Sequence, residues 1–282
     1  MDAFDEQDHA HDRGLAFDLA TLLDRRRAMT LMGGLGLAGA LAACTSPEPS
    51  SGAAATSSAT TSTTGGATAA SGGSELVEVP DETAGPFPGD GSNGQNVLDD
   101  SGIVRSDIRG SFGTSSQVAE GVPLTIRITV KDAETSQALV GAAVYVWHCD
   151  RDGNYSMYSS GFEEENYLRG VQGTDATGTV TFGSVYPGCY PGRWPHVHFE
   201  VYERVADATS SGPIVKTSQL ALPQAACEAV YGTNGYDASL RNLSGLSLAT
   251  DNVFRDDGGR HQLATMSGGT DQGWTAHLTI GV

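Results

Sequence analysis

The sequence predicts an all-β domain, an antiparallel β-sandwich with long loops and little helix. Three features carry that expectation. After residue 75 the apolar residues recur with a period of two, the apolar runs are short and separated by Gly, Pro and Asp turn signals, and no helical runs alternate with them. In the segment 123–131, Leu124, Ile126, Ile128 and Val130 alternate with Thr125, Arg127, Thr129 and Lys131, so one face is buried and the other is wet. Residues 142–150, 178–182, 196–203 and 217–222 read as further strands. Turn signals such as Asp152-Gly153-Asn154 and Asp175-Ala176-Thr177-Gly178 lie between them. Only 224–231 reads as a short helix, and no internal repeat is visible.

The strands occupy 75–282, one domain of ordinary size, and what precedes them has a different character. Arg25, Arg26 and Arg27 are followed by an apolar run over 28–43 and then by Cys44. The run is too short for a membrane span, so 1–43 reads as an export signal. Leu41-Ala42-Ala43-Cys44 resembles the lipobox of bacterial lipoproteins, and the arginines resemble a twin-arginine signal. This implies a mature chain lipid-anchored through Cys44 to the outer face of the cytoplasmic membrane. Residues 45–74 are Ser, Thr, Ala, Gly and Pro except for Glu48, a tract with too little apolar surface to offset its ordering entropy. It reads as a flexible tether of about 30 Å. A formal charge of −18, from 16 Lys plus Arg against 34 Asp plus Glu, makes nucleic acid an unfitting partner. Cys149, Cys189 and Cys227 remain in the domain and allow at most one disulfide among themselves.

The chemistry concentrates between residues 147 and 219. In Pro195-His196-Val197-His198-Phe199 the two histidines project from one face of a strand and form a chelating pair. His-x-His alone does not specify a metal. Tyr190 lies six residues upstream of His196 in the turn-rich Tyr186-Pro187-Gly188-Cys189-Tyr190-Pro191-Gly192-Arg193, and Tyr155 sits in a second such turn after Asp152-Gly153-Asn154. Taken singly, either tyrosine also fits a surface anchor or a loop plug.

Together, Trp147-His148-Cys149-Asp150 with Gly153-x-Tyr155, Pro187-Gly188-x-Tyr190 and Arg193-x-x-His196-x-His198 resemble the intradiol ring-cleavage dioxygenases. The likeness begins at Glu82-Thr83-Ala84-Gly85-Pro86-Phe87 and extends through Thr217-Ser218-Gln219-Leu220. It implies that Tyr155, Tyr190, His196 and His198 bind ferric iron, and that Tyr190 is the ligand that leaves when substrate binds. Arg193 and Gln219 inherit the roles of active-site arginine and pocket glutamine. The implied reaction inserts both atoms of O2 into a catechol and opens the ring between its hydroxyl-bearing carbons to a muconate-type diacid. The donor types agree, because phenolates are hard anions suited to Fe(III), whereas zinc prefers imidazole and thiolate.

Two departures from the cytoplasmic members bear on substrate. A signal and tether stand where catechol-specific enzymes carry a helical dimerisation segment, and the stretch from Tyr190 to His196 is shorter, which implies an open pocket for bulky catechols. His148 reads as a packed or hydrogen-bonding residue, Glu163-Glu164-Glu165 as a solvated loop, and His261 and His277 as structural. Two other functions compete. A non-catalytic binding module for small aromatics would not need both tyrosines with His-x-His, and a zinc hydrolase using His196 and His198 lacks an obvious third ligand and a carboxylate base at useful spacing.

Overall fold

The computed structural model describes residues 76–282, so the predicted signal, the lipid site at Cys44 and the tether lie outside the described residues. Among the described residues eight strands form two four-stranded sheets. They are β1 (Pro123–Lys131), β2 (Ala143–Trp147), β3 (Arg169–Gly173), β4 (Thr179–Val185), β5 (His196–Tyr202), β6 (Ile214–Ala221), β7 (Thr265–Gly269) and β8 (Gly273–Gly281). One sheet has the order β4-β1-β8-β7 and the other β3-β2-β5-β6. The predicted sandwich is thus present, with one exception to its antiparallel pairing: β1 and β8 run parallel.

The alternation in β1 has the expected cause. Leu124, Ile126, Ile128 and Val130 are buried against Val144, Val146, Val197, Phe199 and Val201 of the second sheet. Burying such rows from both sheets between two layers is the main stabilisation of the sandwich. The second sheet is also covered on its outer face, where Ala143, Tyr145, Trp147 and Tyr202 pack with Val97, Leu98, Ile103 and Tyr155 from the long loops. Every residue of β2 and β5 is therefore buried. Residues His196, His198 and Glu200 lie on that outer, loop-covered face, which places the chelating pair beneath the loops and away from the inter-sheet core.

Among the described residues three short helices occur, at Val205–Ala208 (α1), Gln224–Tyr231 (α2) and Asp237–Leu243 (α3), with a 3-10 turn at Phe254–Asp256. The helix expected at 224–231 has those bounds, while α1 and α3 were not anticipated. The expected strand 217–222 instead begins at Ile214. All three cysteines of the domain are free and buried, so no disulfide joins them.

Candidate metal centre

β5 opens on its first donor. His198 is flanked across the sheet by Trp147 on β2 and by Gln219 on β6. The Trp147 indole stacks on the His198 ring, with centroids 4.9 Å apart and planes within 7°. The ring of His196 is turned by its own chain, because Nδ1 donates to the Trp194 carbonyl at 2.5 Å. A carbonyl can only accept, so the proton sits on Nδ1 and the Nε2 lone pair is left free to ligate. The two Nε2 atoms are 3.1 Å apart, and the buried Nδ1 of His198 has no partner.

Two loops bring the phenols to these nitrogens. In the first, Asp150 Oδ1 accepts the amides of Asp152 and Asn154, both at 2.9 Å, closing a turn in which Gly153 has φ +91°. A side chain there would be strained, and its Cβ would meet Tyr190 Cβ at 3.1 Å. In the second loop, the Gly188 amide donates to the Asp150 carbonyl at 2.8 Å. A Cβ on Gly188 would fall 2.4 Å from the Arg151 carbonyl oxygen, so the loops meet backbone against backbone. The result is a Tyr155 hydroxyl 3.5 Å from that of Tyr190, which is itself 3.2 Å from His196 Nε2. The four residues read from the sequence as ligands are therefore brought together.

These separations test whether one ion fits. With metal–ligand bonds of roughly 2.1 Å, donors subtending about 90° to 120° at the metal lie ~3.0 to ~3.6 Å apart. The observed contacts of 3.1, 3.2 and 3.5 Å fall within that range. Among the described residues no group of three or more His, Cys, Asp and Glu side chains is placed to hold a metal, and here the two phenols stand beside the His pair. Burial, reinforced by the Arg193 charge, pushes His196 down to about 3. Burial, His196 and Arg193 hold His198 well below the usual histidine range. Both are thus neutral near pH 7, as ligands must be. Burial, then Tyr190 and Cys149, raise the Tyr155 phenol well above its ordinary value, so its ionisation needs a cation beside it. Tyr155 is buried while Tyr190 is half-buried, which leaves the second phenol the more exposed of the two.

Arg193, only 1% exposed, lies beside the donors with its charge felt at Tyr155, His196 and His198. Its Nη2 donates to Gln219 Oε1 at 2.6 Å, and Gln219 Nε2 donates to the Thr83 carbonyl at 2.9 Å. Arg193 Nε donates at 3.0 Å to Asp251, which the sequence reading missed. Asp251 lies 58 residues downstream in irregular chain, and no local pattern marks it. Burial alone would raise its carboxyl, but the Arg193 charge and the amides it accepts hold it below the usual carboxylate range.

The other histidines lie elsewhere. His148 Nδ1 donates to the Cys149 carbonyl and Nε2 accepts from the Ser184 hydroxyl, both at 2.7 Å, tying β4 to the chain after β2. His277 Nε2 meets Thr129 Oγ1 at 3.1 Å across the β1–β8 pair. In the acidic run, Glu165 accepts from the Ser111 hydroxyl at 2.6 Å and Glu163 from the Gly161 amide at 2.7 Å, as loop braces.

A family model described as "Dioxygenase" matches residues 113–207, a span that contains both tyrosines, Arg193 and both histidines. The fold is similar to that of an intradiol ring-cleavage dioxygenase from Tetranychus urticae, at TM-score 0.54 and 23% identity, covering 64% of this chain and 87% of that one. A second solved dioxygenase, Tetur07g02040, matches at TM-score 0.52 and 23% identity over the same shares, 64% and 87%. Catechol 1,2-dioxygenase from Pseudomonas arvilla C-1 matches at TM-score 0.45 and 20% identity, covering 72% of this chain and 61% of that one. No curated protein matches the chain in sequence.

Proposed function

We propose that this chain, whose fold is that of the intradiol ring-cleavage dioxygenases, is a non-haem iron(III) enzyme that opens catechol-type rings between the two hydroxyl-bearing carbons. The observation that carries this reading is the convergence of two phenols and two neutral imidazoles, with contacts of 3.1 to 3.5 Å, beside a buried arginine. Ferric iron held by Tyr155, Tyr190, His196 and His198 would withdraw electron density from a bound catecholate and so prepare the ring for O2.

The chain's own residues supply the rest. Tyr155, buried and locked in its turn by the 2.9 Å bond from its amide to Ser159 Oγ, is the permanent anionic donor. Tyr190, half-buried and on the opposing loop, is the donor that would leave when substrate binds, and its released phenolate would take a catechol proton. The Arg193 charge is fixed before substrate arrives and favours a ring that gains carbanionic character. Gln219, tied to Thr83, holds the far side of that guanidinium. With a short loop before His196, the reading extends to substituted catechols and hydroxyquinol-like phenols. A lipid on Cys44 would hold this activity outside the cytoplasmic membrane.

The test is direct. The purified chain reconstituted with Fe(III) should be red to burgundy, consume one O2 per catechol and yield a ring-opened diacid. Rates should persist as the ring substituent grows. A protein that stays colourless and inactive after reconstitution would refute the reading.

A further inference from the structure

The irregular chain after α3 returns one side chain to the ligand turn. Asp251 is 0% exposed, and each of its oxygens has a separate task. Oδ1 accepts the amides of Val253 at 2.8 Å and Phe254 at 3.1 Å, which starts the 3-10 turn. Oδ2 accepts Arg193 Nε at 3.0 Å and the Trp194 amide at 2.7 Å. Capping the 3-10 turn would need only the first oxygen. The second serves the residues just before His196, and the Trp194 carbonyl in turn orients the His196 ring. Gln219 takes the other end of the guanidinium, so Arg193 is gripped from two elements.

We propose that Asp251 is a positioning residue for the reaction: by accepting Arg193 Nε it aims the guanidinium and acts on substrate through Arg193, while its bond to the Trp194 amide serves the fold. Asp251 touches none of the four metal donors in the bonds described, so its removal should leave metal binding largely intact. The inference rests on the reading of Arg193 as the active-site cation given above.

The experiment uses the full iron-loaded chain and compares Asp251→Asn, Arg193→Gln and the double variant. Loss of a supporting partner of this kind typically costs about 10- to 100-fold, and that fall in kcat is expected for Asp251→Asn with iron content and visible absorption near wild type. In the Arg193→Gln background the same change should cost under ~2-fold, because residues acting as a unit are not additive. Equal costs in both backgrounds, as a purely structural brace would give, overturn the proposal, and so does a folded Asp251→Asn within ~2-fold of wild type. Should Asp251→Asn fail to fold, Asp251→Ser keeps an acceptor for the Val253 and Phe254 amides while removing the charge, and is judged by the same criteria. A readout independent of turnover is solvent exchange of the Arg193 Nε–H by NMR on the metal-free full chain, slow in the wild type and fast in Asp251→Asn. Fast exchange in the wild type overturns the contact. Slow exchange in a wild-type protein without dioxygenase activity sustains the grip on Arg193 and refutes only the functional reading.

Discussion

Tyr155 and Tyr190 present the same phenol in different surroundings, and their variants should separate accordingly. Tyr155 is buried and packs against Phe87, with ring centroids 5.0 Å apart, whereas Tyr190 is half-buried. If Tyr155 is the permanent donor, as proposed, Tyr155→Phe leaves the site with an uncompensated positive charge and should hold ferric iron poorly. Tyr190→Phe should keep more iron but turn over slowly, because it would lack the proposed exchangeable donor and proton acceptor. Metal analysis and single-turnover rates on both variants check this, and equal iron content with equal rates would contradict the assigned roles. That these residues would meet was legible in the sequence because each sits beside a local signal, a Gly-containing turn or a strand start. Asp251 was not, because its partner is Arg193, 58 residues away, and a long-range pair leaves no periodicity to read.

At the scale of elements, the site depends on the docking of two turns onto the start of β5. Their closest approach is at Gly188, where a Cβ would sit 2.4 Å from the Arg151 carbonyl oxygen and 3.0 Å from that of Asp150. Backbone cannot yield as a flexible side chain can, so Gly188→Ala must part the loops that carry Tyr155 and Tyr190. The expected result is loss of most bound iron and visible colour, with a stability cost of about 1 to 3 kcal/mol and an unchanged β-sheet circular dichroism spectrum. Retention of full iron occupancy would show that the loops need no such contact. The strands followed the same logic of legibility. β1 was readable because it alternates cleanly, and β5 because an apolar row interleaves the histidines. β3 (Arg-Gly-Val-Gln-Gly) and β7 (Thr-Met-Ser-Gly-Gly) are poor in β-branched and aromatic residues and are held by their neighbours. β8 has the residues of a strand, but its pairing parallel to β1 is a tertiary fact that no local pattern encodes.

At the scale of the whole molecule, the candidate site lies on the outer face of one sheet, and the proposed lipid on Cys44 would fix the sandwich to a membrane. Cys44→Ser should then release the full chain into the soluble fraction of cells, while unchanged membrane fractionation would place the anchor elsewhere. The pH response follows from histidines buried neutral. Burial pushes His148 down to about 4, against an ordinary value near 6.5. The sign is that of a base whose folded value is depressed. Below about pH 6.5 the unfolded chain takes a proton that the folded chain refuses, so stability falls with pH until the folded form titrates near 4. A difference of about 2.5 pH units corresponds to ~3 kcal/mol lost across that window. His196, at about 3 in the metal-free chain, adds a loss of the same sign that continues to lower pH. Glu82 opposes both over part of the range. Burial raises its carboxyl to about 8, so the folded chain keeps a proton that the unfolded chain releases above about 4.5, and this destabilises as pH rises. The net slope of the wild type is therefore a poor test, and the difference between wild type and His148→Gln is a sharp one. Gln keeps hydrogen-bonding groups near Cys149 and Ser184 but cannot titrate. Urea unfolding of both metal-free proteins at pH 7, 5.5 and 4.5 should show a stability gap that shifts in favour of the variant by one to a few kcal/mol as pH falls. A gap that stays constant with pH would mean that His148 is not held neutral in the fold.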